Sequence, residues 1–274
     1  MSGNTAYIEG ISVWSSALPS WDEASRILRG EIPAPQEARK RPSPELLPPN
    51  ERRRAPDTVA VSLEVASKAC AHAQREPASL PSVFASTHGD LAITDYMCET
   101  LAQTPGLISP TKFHNSVHNA AAGYWAIATG CMQPYTALSA SHRSFAIGLL
   151  EALVQVQSDG ANVLYVAYDI EAQGPLATVV NSSGRLGCAL VLNFRPSAHA
   201  KFLLRWNTRV EEQPRDSTAS AENASLVAGN GMASALPLLE RIARSSGHVA
   251  YTIGPKLSLE LEVESVNTNS TSAA

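Results

Sequence analysis

No stretch of this 274-residue chain holds the roughly 18 to 20 consecutive apolar residues that a membrane-spanning helix needs. The opening residues, MSGNTAYIEG, lack a basic segment followed by an apolar run, so no secretory leader is expected. There is no C-x-x-C pair. The four cysteines, Cys70, Cys98, Cys131 and Cys188, are too widely spaced for a zinc ribbon or a secreted disulfide framework, and reduced thiols in a cytoplasmic protein are the expectation. Positive charge is also short. Lysine and arginine total 21 against 25 acidic residues, which leaves no electrostatic case for nucleic acid as a partner. Nothing in these counts calls for a metal or an organic cofactor.

The chain has ample apolar residues, 44% of the total, enough for one sizeable core or two small ones. Strands and helices alternate. Ala6–Trp14 reads as a first strand, residues 58–76 as an alanine-rich helix, and residues 81–87 as a short buried strand. A helix follows the Gly89 turn with Asp90 as its N-cap. Tyr135–Ala140 reads as a strand and residues 144–160 as a helix. Strands are expected again at 162–169 and 187–194, the second pairing antiparallel with the first. A strand at 201–210, a short helix near Leu236 and a strand pair at 248–253 and 257–266 complete the pattern. Residues 31–57 carry seven prolines and read as an extended surface loop, since proline fixes φ and removes a hydrogen-bond donor. The expected class is α/β: a mixed five-stranded sheet with helices on both faces, formed by residues 1–195. A short α+β segment over 196–265 and a disordered polar tail over 266–274 would follow.

The helix around Phe145–Val156 is apolar nearly all round, broken only by Gly148, Glu151 and Gln155. One sheet cannot cover such a helix, so a second layer must come from the C-terminal segment or from another chain.

The segment SPTKFHNSVHNAAAGYWAIATG, residues 109–130, resembles the N-x-x-x-N-A-A-A-G stretch of β-ketoacyl synthases, which precedes a strand, the active cysteine and a buried helix. The arginine-rich LPPNERRRAPD, residues 47–57, resembles the stretch before the second helix of those enzymes. The resemblance runs over about residues 6–195 and implies the N-terminal half of a thiolase-like fold. It extends to the short ketosynthase-like proteins that accompany aryl polyene and xanthomonadin-type pigment genes, some of which resemble chain-length factors beside a catalytic ketosynthase.

The departures from that pattern bear on chemistry. A ketosynthase accepts its acyl chain on a thiolate at the strand-to-helix turn. Here LSASHRS puts Ser141 or His142 at that turn, and Cys131 lies ten residues too early. The family's H-G-T-x-T and N-x-G-H histidines are missing, and His248 in SSGHVA is a fragmentary echo. The resemblance therefore implies a non-catalytic subunit that pairs, through the strand beside the turn, with an active β-ketoacyl carrier-protein synthase in fatty-acid or polyketide biosynthesis. Phe113, Val117, Ala121, Tyr124 and Leu138 are the residues expected by position to wall the acyl tunnel or the interface. Arg52, Arg53 and Arg54 are a docking site for an acidic acyl carrier protein, or else a solvated helix start paired with Glu45 and Glu51. His114 and His118 sit at i, i+4, a spacing a zinc site can use, but the residue after His114 is Asn115 where a zincin needs glutamate, and structural histidines are the expectation. Two other classes stay open: an independent acyltransferase or hydrolase using Ser141, and a carrier-binding scaffold.

Overall fold

The computed structural model describes residues 4–36, 41–180 and 182–266. In chain order the elements are β1 (Asn4–Ser15), α1 (Trp21–Leu28), α2 (Pro49–Arg54), α3 (Asp57–Ala73), β2 (Ser82–Ala85), α4 (Leu91–Gln103), α5 (Pro110–His114), α6 (Ala120–Thr129) and β3 (Tyr135–Leu138). Then come α7 (Ser144–Asp159), β4 (Val163–Asp169), β5 (Leu186–Asn193), β6 (Phe202–Val210), α8 (Ala221–Ala224), α9 (Leu236–Ala243), β7 (Ser246–Gly254) and β8 (Leu257–Ser265).

All eight strands join one sheet in the order β3-β2-β4-β5-β1-β6-β8-β7. The expected five-stranded sheet is thus an eight-stranded one. The reason lies in β1, whose twelve residues are long enough to pair with β5 over Tyr7–Ser15 and with β6 over Asn4–Ile8. The later strands therefore extend the sheet across residue 195. β3, β2 and β4 run parallel, and every pair from β4 to β7 is antiparallel. Among the described residues β3 is an edge strand with β2 as its one neighbour.

Two apolar layers cover the sheet. One joins α3 and α6 to one face through residues such as Val61, Val65, Ala69 and Trp125. The other joins α1, α7 and α9 to the opposite face. The C-terminal segment supplies the second cover that α7 requires: Leu236, Leu239 and Ile242 share its core, and the Phe145 ring meets Tyr251 at 5.6 Å in an edge contact. Gly148 lets α7 lie close to the sheet, because a Cβ there would come within 2.7 Å of Ala85 Cβ and 2.9 Å of the Tyr165 ring.

Asp90 caps α4 as its type and position predict, its carboxylate accepting from Ile93 N at 2.8 Å. Several short helices were not read from the sequence, α1 and α2 among them. α1 starts at Ser20, whose hydroxyl accepts from Glu23 N. α2 lies inside the proline-rich segment, because Pro49 occupies the first helical position, where its missing N–H is no loss. The expected tail falls, beyond Val266, outside the described residues. No helix among the described residues is long and apolar enough to cross a membrane.

Candidate functional site

The carboxyl ends of the three parallel strands gather the polar residues of interest. β3 ends at Leu138, and residues 139–143 turn the chain into α7. Ser141 holds the centre of that turn with φ of +54°, a left-handed conformation that disfavours a side chain. Ser144 locks it: its hydroxyl donates to Ser141 O at 2.6 Å and accepts from Ala140 N at 2.9 Å. Of the two residues expected at this turn, it is Ser141 and not His142 that has the left-handed backbone.

The elbow is held from below. Ser139 Oγ donates to Thr87 O at 2.9 Å, in the loop after β2. That loop is anchored on Asp169, the last residue of β4 and fully buried. Asp169 accepts from Ser86 Oγ at 2.7 Å and from Thr87 N at 3.0 Å. Burial pushes its carboxyl above the ordinary aspartate range, against the opposing pull of those donors. On the other side His118 donates from Nε2 to Ser86 O at 3.0 Å. His118 thus has a structural task in a turn beyond the end of α5, while His114 is the last, exposed residue of α5. The two do not share a helix face, and among the described residues no cluster of three His, Cys, Asp or Glu side chains could hold a metal.

What surrounds Ser141 limits its chemistry. Ser141 and His142 are both exposed, and neither side chain has a hydrogen-bond partner among the described residues. A serine nucleophile needs a base within about 2.6–3.2 Å that is itself oriented by a third group, and among the described residues no side chain is hydrogen-bonded to the Ser141 hydroxyl. No thiol substitutes for it. Cys70 and Cys188 are buried, which pushes each thiol up to about 12. Cys131 is buried beyond the end of α6 against Leu80 O, and Cys98 is on α4.

The segment that leads into β3 carries most of the exposed apolar surface. Of ten exposed large apolar side chains among the described residues, seven lie between residues 101 and 135, among them Phe113 at 62%, Val117 at 53% and Ile127 at 83%. Their segment flanks the free edge of β3, to which Asn119 is tied by a 3.3 Å bond to Tyr135 Oη. The five expected wall residues divide. Val117 and Tyr124 line a groove of about 770 Å³ between α6 and the segment 46–54, and Phe113 projects from α5. Ala121 is buried in the α3–α6 core and Leu138 packs half-buried against the α7 core. The arginines divide too. Arg52 donates inward to Leu47 O and Glu45 O, so its Glu45 contact is with the backbone and not the carboxylate. Arg53 is exposed and bonds Asn50, while Arg54 is exposed at the groove edge.

A thiolase-like α/β fold is what this geometry defines. The family model described as "Beta-ketoacyl synthase, N-terminal domain" matches residues 21–252, and the chain belongs to that family. Solved structures agree on the fold. One, described as a ketosynthase (ApeO) in complex with its chain length factor (ApeC) from Xenorhabdus doucetiae, is 22% identical, with a TM-score of 0.70 over 94% of this chain and 99% of that one. The ishigamide ketosynthase/chain length factor is 15% identical, with a TM-score of 0.69 over 96% and 100%. A type II polyketide acyl-carrier protein in complex with its ketosynthase, AntDE:AntF, gives 9% identity and a TM-score of 0.68 over 96% and 100%. Among curated proteins none matches significantly.

Proposed function

We propose that this chain is a non-catalytic chain-length factor that pairs with an active β-ketoacyl carrier-protein synthase and shapes its acyl tunnel, in fatty-acid or aryl polyene-type polyketide biosynthesis. The observation that carries this reading is the elbow itself: Ser141 keeps the strained backbone while no thiol and no base stand beside it. The β3 edge runs into that turn, and most of the exposed apolar residues come from the segment before it, which suits a partner whose reacting groups are brought in there. Two of the structural neighbours are described as ketosynthases with chain length factors, which supports the same pairing. On this reading the chain works in the cytoplasm, beside a carrier protein that meets Arg53 and Arg54; neutralising both should weaken carrier binding in a titration.

Co-expression with the ketosynthase encoded nearest to it, followed by size exclusion with mass determination, tests the reading. A one-to-one complex is expected; a monomer or homodimer that ignores the ketosynthase would overturn it. In the reconstituted pair Phe113→Ala should lengthen the products, because a large exposed ring on α5 would cease to block the growing chain. An unaltered product profile for Phe113, Val117 and Tyr124 variants alike would remove the tunnel role. The hydrolase reading predicts instead that the chain alone takes an acyl group from a thioester, visible as added mass on Ser141.

A further inference from the structure

A second cavity shares no residue with the Ser141 turn, the β3 edge or the α6 groove. It lies where the end of β1, the start of α1 and the middle of α3 meet, and holds about 300 Å³. Rigid parts fix it. The chain leaves β1 through a tight turn in which Ser15 N donates to Leu18 O at 2.8 Å and Leu18 N to Ser15 Oγ at 3.0 Å. That turn brings Trp21, the first residue of α1, to the same cavity as Trp14 near the end of β1. α3 is pinned against the strand from its own side. A Cβ at Gly10 would stand 2.1 Å from Ala69 O, so helix and strand touch there, and His72 Nδ1 lies 3.0 Å from Ile11 O and 3.2 Å from Ile11 N.

Two charged side chains that line this cavity are unpaired. From Thr58 to Ala66 every residue of α3 is buried except Glu64, which is half-buried. Glu64 and Lys68 stand one turn apart, in the order that favours an ion pair on a helix. Yet neither has an ion pair or a side-chain hydrogen bond among the described residues. Burial raises the Glu64 carboxyl above its ordinary value of 4.5, and Lys68 draws it back through space. Burial also pushes the His72 ring below its ordinary 6.5, so at neutral pH it lines the cavity uncharged. Asp22 adds an exposed carboxylate. The indole N–H groups of Trp14 and Trp21 have no acceptor among the described residues, and neither is sealed as those of Trp125 and Trp206 are. Small-molecule sites begin at roughly 300 Å³ and combine aromatic walls with a few placed polar groups. A cation alone would meet Glu64 and be repelled by Lys68, and an anion alone would do the reverse. A zwitterion meets both, and two tryptophans suit an apolar or aromatic side chain beside it.

We propose that this cavity binds a free α-amino acid with a large apolar or aromatic side chain, its ammonium on Glu64, its carboxylate on Lys68 and its side chain against Trp14 and Trp21. The site is independent of the ketosynthase pairing and holds whether or not that pairing does. Calorimetric titration of the full chain tests it with L-phenylalanine, with phenethylamine, which lacks the carboxylate, and with 3-phenylpropionate, which lacks the ammonium. Phenylalanine should bind saturably and change the tryptophan fluorescence, and each of the other two should bind at least about tenfold more weakly. Glu64→Gln should weaken phenylalanine about tenfold and remove its advantage over 3-phenylpropionate. Lys68→Met should weaken it to a similar degree and remove its advantage over phenethylamine. Neither side chain has a partner to lose, so both variants should melt within about 2 °C of the wild type. Absence of saturable phenylalanine binding up to about 10 mM overturns the proposal. So does tighter binding of phenethylamine than of phenylalanine, which would make this a site for a simple cation. Wild-type phenylalanine affinity in both variants would place the binding elsewhere and overturn it as well.

Discussion

Replacing Arg75 with methionine should cost the fold about 3 kcal/mol at neutral pH, a fall of roughly 5–10 °C in melting temperature. Glu9 lies on β1 in the interior of the sheet, its side chain fully buried. Arg75 meets it with two parallel bonds, Nε at 2.6 Å and Nη2 at 2.7 Å. Asn193 Nδ2 donates at 2.7 Å and the Ser197 hydroxyl completes the shell. The backbone arranges this meeting: Gln74 caps α3 in the left-handed conformation, and Arg75 follows directly. Burial by itself would raise the Glu9 carboxyl, but Arg75, Ser197 and Asn193 outweigh it and hold the group below the ordinary glutamate value of 4.5. Losing the guanidinium leaves a buried carboxylate with neutral donors only, a change that costs about 3–5 kcal/mol in comparable sites. The lower end applies because the Arg75 side chain is 28% exposed, so water supplies part of what it gives.

The pH dependence has a definite sign. With a lowered folded pKa, Glu9 contributes its full stabilisation above the ordinary value of 4.5, and that contribution is lost as pH falls through the folded value. In Arg75→Met the guanidinium no longer opposes burial, so the carboxyl titrates higher than in the wild type and protonation relieves the variant first. The gap between the two melting temperatures should narrow between pH 7 and pH 5. A gap of the same size at both values would show that Arg75 acts by packing and not by charge.

The local chemistry of this fold was legible, and its long-range pairings were not. Alternating apolar residues announced all eight strands, and Asp90, Gly89 and the all-round apolar helix at 144–159 told where helices begin and how deeply one is buried. The edge position of Tyr135–Leu138 followed from the family's segment order. Strand periodicity carries no information on which neighbour a strand will choose, so β6, β8 and β7 were assigned to a separate segment when they extend the same sheet through β1. α2 was hidden because prolines that break a helix interior also open one. At the site, the residue types at the turn were readable, whereas the strain at Ser141 is a backbone property that serine does not advertise. Asp169 had no local signal either: its donors come from residues more than 80 positions earlier.

Ala137→Pro should leave this chain folded and weaken its complex with the ketosynthase roughly 30- to 100-fold. In the parallel pair of β2 and β3, Ser82 N donates to Pro134 O and Ser86 N to Leu138 O, with Phe84 opposite Ala137. That alternation turns the amides of Thr136 and Leu138 toward β2 and leaves the amide and carbonyl of Ala137 on the open side. Proline at 137 therefore removes a donor that the chain does not use, and edge positions of this kind are where strands tolerate it. Across a strand-edge interface the same change deletes one ladder bond and sets a ring against its neighbour. The missing bond and the steric conflict cost about 1–1.5 kcal/mol each, and together they produce the expected fall in affinity. Thr136→Pro is the internal control, because its amide faces β2 and its hydroxyl accepts from Gln155 Nε2 at 3.3 Å; it should lower the melting temperature of the chain itself. A complex that survives Ala137→Pro at wild-type affinity would mean that the β3 edge is not the pairing surface. The apolar residues from 101 to 135 would then have to be covered in some other way than by extending the sheet into the partner.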